Sequence, residues 1–212
     1  MTSDRFIVYT DGSCLNNGKK NSVGAIGIFF SDNDPDNYAQ VIDNDGNKIT
    51  NQTMELLAGI QAFKIIETKI SNNRINPKII YVYTDSTYVI NSMTKWYKGW
   101  ITNNWKTSKG KNVENKELIQ VLYELKSKYI VIFKHVRSHQ NEPSKDNENY
   151  KSWYGNYMAD KLATEACRQF KDTNDELNEN NLTNDEVDIV NKAKTKSNRT
   201  RVKNTVKTSL NC

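Results

Sequence analysis

The stretches Tyr9-Thr10-Asp11-Gly12-Ser13 and Tyr83-Thr84-Asp85-Ser86 are near-repeats. Each follows a short apolar, β-branched run, Phe6-Ile7-Val8 in one case and Ile79-Ile80-Tyr81-Val82 in the other, so each reads as a buried strand ending in an aspartate. Set side by side as parallel neighbours, the strands would bring both carboxylates to one sheet edge. Two such charges repel, and each resists ionising unless a cation lies between them. A divalent-metal site is the chemistry this pairing favours. The plainer alternative is that each Asp caps the helix or turn after its strand, the commoner fate of an isolated Asp-Gly or Asp-Ser. The repetition weighs toward function.

The elements that must position these residues follow from hydrophobic period. A first strand over 5–10, a second over Val23 to Phe30 and a third over Tyr38 to Ile42 form an antiparallel meander, with Asp45-Gly46 offering a turn after it. The period then changes to that of a helix, from about Gln52 to Ile70, with Leu56, Ile60, Phe63 and Ile66 on one face and Glu55 near its start. An acidic residue there also complements the helix dipole and needs no further role. The strand ending in Asp85 is followed by a helix from Ser86 to about Trp96. Next come an aromatic and basic segment over 95–111, a helix from Asn115 to Ser127 and a last strand from Tyr129 to Val136. His139 follows in Arg137-Ser138-His139-Gln140, then a polar stretch without periodicity to Ser152. A final helix over Asn156 to Phe170 carries Ala159, Leu162, Ala163 and Ala166 on its apolar face, with Asp160 beside it.

The 212 residues suffice for one domain with a sizeable core plus an extension. An apolar fraction of 36% is low for a uniformly packed chain of this length and places part of it outside the core. Residues 171–188 are acidic and Asn-rich, whereas 189–212 hold Lys192, Lys194, Lys196, Arg199, Arg201, Lys203 and Lys207 and no acidic residue. Neither half can bury much, so 171–212 reads as a disordered tail after a domain over 1–170. A net charge of +5 mildly favours a polyanionic partner. No apolar run reaches membrane-spanning length and no secretory pattern opens the chain, which predicts a soluble, intracellular protein, cytoplasmic or nuclear. Cys14, Cys167 and Cys212 lack disulfide or zinc spacing and read as reduced bystanders.

Five motifs in order carry a family resemblance: Tyr-Thr-Asp-Gly-Ser-Cys at 9–14, Thr-Asn-Gln-Thr-Met-Glu-Leu at 50–56, Tyr-Thr-Asp-Ser at 83–86, Gly-Trp through Trp-Lys-Thr-Ser at 99–108, and Gly-Asn-Tyr-Met-Ala-Asp at 155–160. From Phe6 to Phe170 the chain resembles type 1 ribonuclease H of the cellular kind. The resemblance implies an α/β fold with a five-stranded mixed sheet, three antiparallel strands then two parallel ones, flanked by helices. It assigns Asp11, Glu55, Asp85 and Asp160 to a four-carboxylate site for two Mg²⁺ ions, with Mn²⁺ as the alternative. An all-oxygen donor set suits such hard cations and suits zinc poorly. Two metals about 4 Å apart would flank a scissile phosphate, cutting the RNA strand of an RNA/DNA hybrid to leave 5′-phosphate and 3′-hydroxyl ends. His139 corresponds to the family's loop histidine, which assists proton transfer or product release; taken alone it would read as a solvated loop residue. His135, inside the strand, reads as structural. One departure stands out: His139 and Asp160 lie roughly twice as far apart as is usual in the family, with Asn141 to Ser152 standing as a polar insertion.

The same resemblance places Asn17, Asn51 and Gln52 against the hybrid's minor groove, where uncharged amides suit 2′-hydroxyls. Lys48, Thr50 and Asn115 match a pocket for a DNA phosphate, Lys48 standing where eukaryotic relatives often have an arginine and lacking its bidentate fork. Trp96, Trp100 and Ser108 match a channel in which flat rings pack on deoxyriboses, while Trp105 is expected in the core. Lys98, Lys106, Lys109 and Lys111 would attract phosphates without regard to sequence. The rival readings are a domain derived from a reverse transcriptase and a catalytically weak hybrid-binding module. The basic aromatic segment opposes the first and the full carboxylate set opposes the second. A fold that starts by Phe6 leaves no room for a separate N-terminal hybrid-binding domain, and a monomer is the expected state. The basic tail either partly replaces that domain by raising nucleic-acid affinity or is an uninvolved segment.

Overall fold

A computed structural model of the chain describes residues 4–17, 19, 22–42, 49–138 and 140–174. The strands are β1 (Arg5–Leu15), β2 (Val23–Phe29), β3 (Tyr38–Ile42), β4 (Ile79–Thr84) and β5 (Val131–His135). They form one five-stranded sheet in the order β3-β2-β1-β4-β5. β1, β2 and β3 pair antiparallel, and β4 and β5 add as parallel strands, so the expected mixed arrangement holds. The helices are α1 (Asn51–Ser71), α2 (Thr87–Asn91), α3 (Tyr97–Thr102), α4 (Lys116–Ser127) and α5 over 150–174, with a π-helical turn, Ser92–Trp96, joining α2 to α3. The chain divides into two compact units, Met1–Gln169 and Phe170–Cys212. The second is described only at 170–174, which are helical, so the expected disordered tail is helical over its first four residues and the rest of it lies outside the described residues.

Alternation along the strands sends Val8, Ile26 and Ile28 into one buried cluster with Leu56, Phe63 and Ile66 of α1 and Leu122 of α4. Their neighbours Tyr9 and Phe29 join a second cluster with Ala159 of α5, flanked by Tyr154, Met158 and Leu162. The sheet is thus covered by α1 and α4 on one face and by α5 on the other. Thr50 caps α1 in a capping box with Thr53, and Ser86 caps α2 by accepting from the Val89 N–H at 3.3 Å. The capping alternative for Asp85 is therefore taken up by the residue after it.

Three boundaries differ from expectation. β1 does not stop at Thr10 but runs on to Leu15, because β2 pairs with it as far as Leu15↔Val23; Asp11 lies inside a strand rather than at its end. The helix after Asp85 does not end at Trp96 but continues through the π-helical turn to Thr102. α5 begins at residue 150, not 156, so the last residues of the polar insertion belong to a helix. Tyr150, Trp153, Tyr154 and Tyr157 occur there at helical spacing, a signal that the surrounding polar residues obscured.

Two close approaches fix where Asp11 sits. A Cβ on Gly12 would strike the backbone of Met54 and Glu55, so α1 rests directly on β1 at the residue after Asp11. Gly27, opposite Asp11 in the register, would in turn strike the Ala159 backbone of α5. Only residues without a side chain allow both helices to come this close. Gly12→Ala should cost at least about 1–3 kcal/mol of unfolding free energy, because backbone rather than a pliant side chain must yield; urea denaturation measures it, and an unchanged midpoint would show that α1 does not press on Gly12.

Candidate active site

Parallel pairing of β1 with β4 ends its register at Tyr9↔Tyr83, so Asp11 and Asp85 each stand two residues beyond the same rung. Glu55 arrives from α1, one residue from Met54 in the Gly12 contact. One carboxylate oxygen of each of Asp11, Glu55 and Asp85 lies within 4.8 Å of the others. Asp160 projects from α5 one residue beyond Ala159, and its Oδ1 accepts from the Thr164 hydroxyl at 3.4 Å. It shares a cleft of about 280 Å³ with Asp85, but it is not a member of the tight three-carboxylate group.

Asp11 is 6% exposed, and burial, then the charges of Asp85 and Asp160, push its pKa up to about 8 against a lowering hydrogen bond from the Gly12 backbone. Glu55 is raised well above the usual carboxylate range, first by burial and then by Asp11 and Asp85. Its Oε2 is buried with no hydrogen-bond partner among the described residues. A buried acceptor without a donor, inside a cluster of acids that cannot all ionise, fits a hard divalent cation. Asp11, Glu55 and Asp85 are the residues that would hold it, with Asp160 at the margin.

The residues expected to hold substrate fall in two groups. Asn17 Oδ1 accepts from the Asn51 backbone N–H at 3.3 Å, and Gln52 follows on the first turn of α1, so the three amides form one exposed lip. On the other side Trp96 and Trp100 lie with ring centroids 5.5 Å apart, and Trp96 is 40% exposed. Tyr88 packs beside Trp96, and its hydroxyl accepts from Asn115 Nδ2 at 3.2 Å, which links Asn115 to the tryptophans. Trp105 stacks on Trp100 and packs on the core while remaining partly exposed. Thr50 sits at the N-cap of α1 and Ser108 in the exposed loop after α3. His135 is exposed at the end of β5. Lys48 and His139 lie outside the described residues; Ser138 and Gln140, on either side of His139, line the cleft. So do Arg137, Trp153, Asn156 and Tyr157, none of which had been singled out as site residues. For Trp153 and Tyr157, helical spacing with Asp160 was the available signal.

The sequence model of the RNase H family matches residues 3–168. A ribonuclease H of Clostridium botulinum is 38% identical over 167 residues, covering 78% of this chain and 97% of its own. Human ribonuclease H1 is 34% identical, covering 80% of this chain and 52% of its own. Among solved structures, the foamy-virus RNase H domain superposes with a TM-score of 0.56 at 25% identity, covering 77% of this chain and 94% of its own. The type 1 enzyme LC9-RNase H1 superposes with a TM-score of 0.58 at 24% identity, covering 80% and 74%.

The raised acids predict an inverse pH dependence without metal. Asp11 is ionised in the unfolded chain above pH 4 or so but keeps its proton in the fold up to about 8. Its contribution is therefore full below the unfolded pKa and is lost as pH rises through that window. The melting temperature of the metal-free protein should fall from pH 5 to about pH 8, Mg²⁺ should restore it most at the alkaline end, and Asp11→Asn should flatten the slope. A wild-type melting temperature that rises across this window in chelator would contradict the arrangement.

Proposed function

The chain belongs to the RNase H family and is an endoribonuclease, and from that premise we propose that it hydrolyses the RNA strand of RNA/DNA hybrids with two divalent cations, leaving 5′-phosphate and 3′-hydroxyl ends. The observation that carries this reading is the convergence of Asp11, Glu55 and Asp85 within 4.8 Å, from a strand, a helix and a strand end. Bound among them, Mg²⁺, or Mn²⁺ in its place, would supply positive charge at the scissile phosphate and a bound water of lowered pKa.

The chain's own residues bind, orient and move protons. Asp11, Glu55 and Asp85 would hold the cations, Asp11 and Glu55 giving up their retained protons on binding, and Asp160 completes the acidic wall from α5. Asn17, Asn51 and Gln52 offer amides to 2′-hydroxyls and so select the ribose strand. Trp96 and Trp100 present flat faces to the deoxyribose strand, with Ser108 at the end of that channel. Thr50 and Asn115, at the N-termini of α1 and α4, together with Lys48, take a DNA phosphate. His139, between two cleft residues, moves the proton of the leaving oxygen or helps product depart. Among the described residues no helix is long and apolar enough to cross a membrane.

Labelled hybrid, duplex RNA and duplex DNA should be separated by one assay with Mg²⁺. Only the hybrid's RNA strand should be cut, its fragments should be extendable from their 3′ ends, and Asp85→Asn should lose at least about 100-fold in rate. Cleavage of duplex DNA, an intact hybrid or a fully active Asp85→Asn would refute the reading.

A further inference from the structure

Beside Asp160, α5 carries two aromatic residues that the four-carboxylate scheme does not use. Trp153 and Tyr157 lie at helical spacing with Asp160 and Thr164. The Trp153 and Tyr157 rings stack at 9° with centroids 5.4 Å apart. They lie beside the core: the opposite side of α5 packs Tyr154, Met158 and Leu162 on Tyr9 and Phe29, and neither Trp153 nor Tyr157 joins that cluster. Tyr157 is 46% exposed. Both rings line the cleft that holds Asp85 and Asp160, and Arg137 faces the same space. Arg137 is exposed and has no ion pair among the described residues.

Part of this arrangement is structural. The Trp153 indole N–H donates to the Gln140 carbonyl at 3.1 Å, tying the loop after β5 to α5. That accounts for Trp153 and leaves a half-exposed Tyr157 stacked on it without a core to serve. Along the helix axis Tyr157 lies about 4.5 Å from Asp160 and Trp153 about 10 Å from it. At about 3.4 Å of rise per nucleotide, the stack spans roughly one to three nucleotides from a phosphate at the carboxylates. In a paired strand the surfaces open to a flat ring are the sugar faces, and the group open to a guanidinium is the phosphodiester. The Trp96 and Trp100 face belongs to a different helical segment, and Asp160 ties the α5 stack to the strand being cut.

We propose that Trp153, Tyr157 and Arg137 form a subsite for the RNA strand of the hybrid on one side of the cut, the stacked rings packing on riboses and the guanidinium pairing with a phosphate. This rests on the hybrid-cleaving reading above and gives the aromatic first turns of α5 a function in holding substrate. The full chain with Mg²⁺ is assayed on hybrids whose RNA strand is shortened one nucleotide at a time from each end. For the wild type, removing the nucleotides that reach the stack from one end should raise KM about fivefold or more. Tyr157→Ala should show that KM increase on the full-length hybrid, with kcat within about twofold of wild type, and should no longer respond to shortening at that end. Tyr157→Phe, which keeps the ring, should behave as wild type. Trp153→Phe, which keeps the stack and drops the bond to Gln140, should hold KM within about twofold. A wild-type KM in Tyr157→Ala, or an end-shortening penalty it still shares with wild type, overturns the subsite. A wild type that leaves the hybrid intact overturns instead the activity beneath it. Tyr157 is surface-exposed, so melting temperatures of the variants should match wild type; should Tyr157→Ala melt early, Arg137→Gln supplies the same end-shortening comparison.

Discussion

Bringing carboxylates within reach of one another in a site shielded from water is unfavourable, and this fold does it with Asp11, which is buried, and Glu55 and Asp85, which are partly buried, at the edge where β1 and β4 finish their shared register. Desolvation opposes the charge on Asp11 and Glu55 and the neighbouring acids add repulsion, which is why both retain protons above their ordinary range. The fold sustains the arrangement through contacts that do not involve charge. α1 is pressed on Gly12 and α5 on Gly27, and the apolar clusters on both faces of the sheet hold those helices in place. The site's strain is thus supported by packing elsewhere, as expected where a site is organised for a ligand that supplies the missing charge.

Around this acidic centre lie three polar and aromatic surfaces. Amides at the start of α1 form one lip, the tryptophans after Asp85 form another, and the Trp153–Tyr157 stack extends from Asp160 along α5. Each is attached to an element that also delivers a carboxylate: Asn51 and Gln52 to the helix of Glu55, Trp96 and Trp100 to the helical run after Asp85, Trp153 and Tyr157 to the helix of Asp160. On the proposed reading, substrate-facing residues and acids therefore move together if an element shifts.

Much of this was legible in the residues. The Tyr-Thr-Asp near-repeats foretold two parallel strands delivering paired acids, because strand runs of β-branched residues carry their own signature. Glu55 and Asp160 were placed through family resemblance and not through spacing, since an acid on a helix has commonplace explanations. The extension of β1 past Asp11 was hidden because Gly12 and Ser13 resemble a turn; the pairing with β2, a non-local interaction, overrides that local preference. The early start of α5 was hidden by Asn, Lys and Ser flanking its aromatic residues, so a helical aromatic pattern passed as an aperiodic loop. Trp153 and Tyr157 were missed with it. Trp105, expected in the core, is only partly buried because its ring is shared between the core and Trp100.

The central claim is that protonated, mutually repelling acids are held ready for a divalent cation, and proton release on metal binding tests it most directly. Mg²⁺ is titrated calorimetrically into the chelator-treated protein at neutral pH, in buffers of different ionisation enthalpy. The slope of apparent binding enthalpy against buffer enthalpy counts the protons released. The account predicts release of about one proton or more per protein molecule at pH 7, and fewer in Asp11→Asn, where Glu55 alone still holds one back. Binding with no proton release by the wild type would mean the carboxylates are already ionised, and would contradict it.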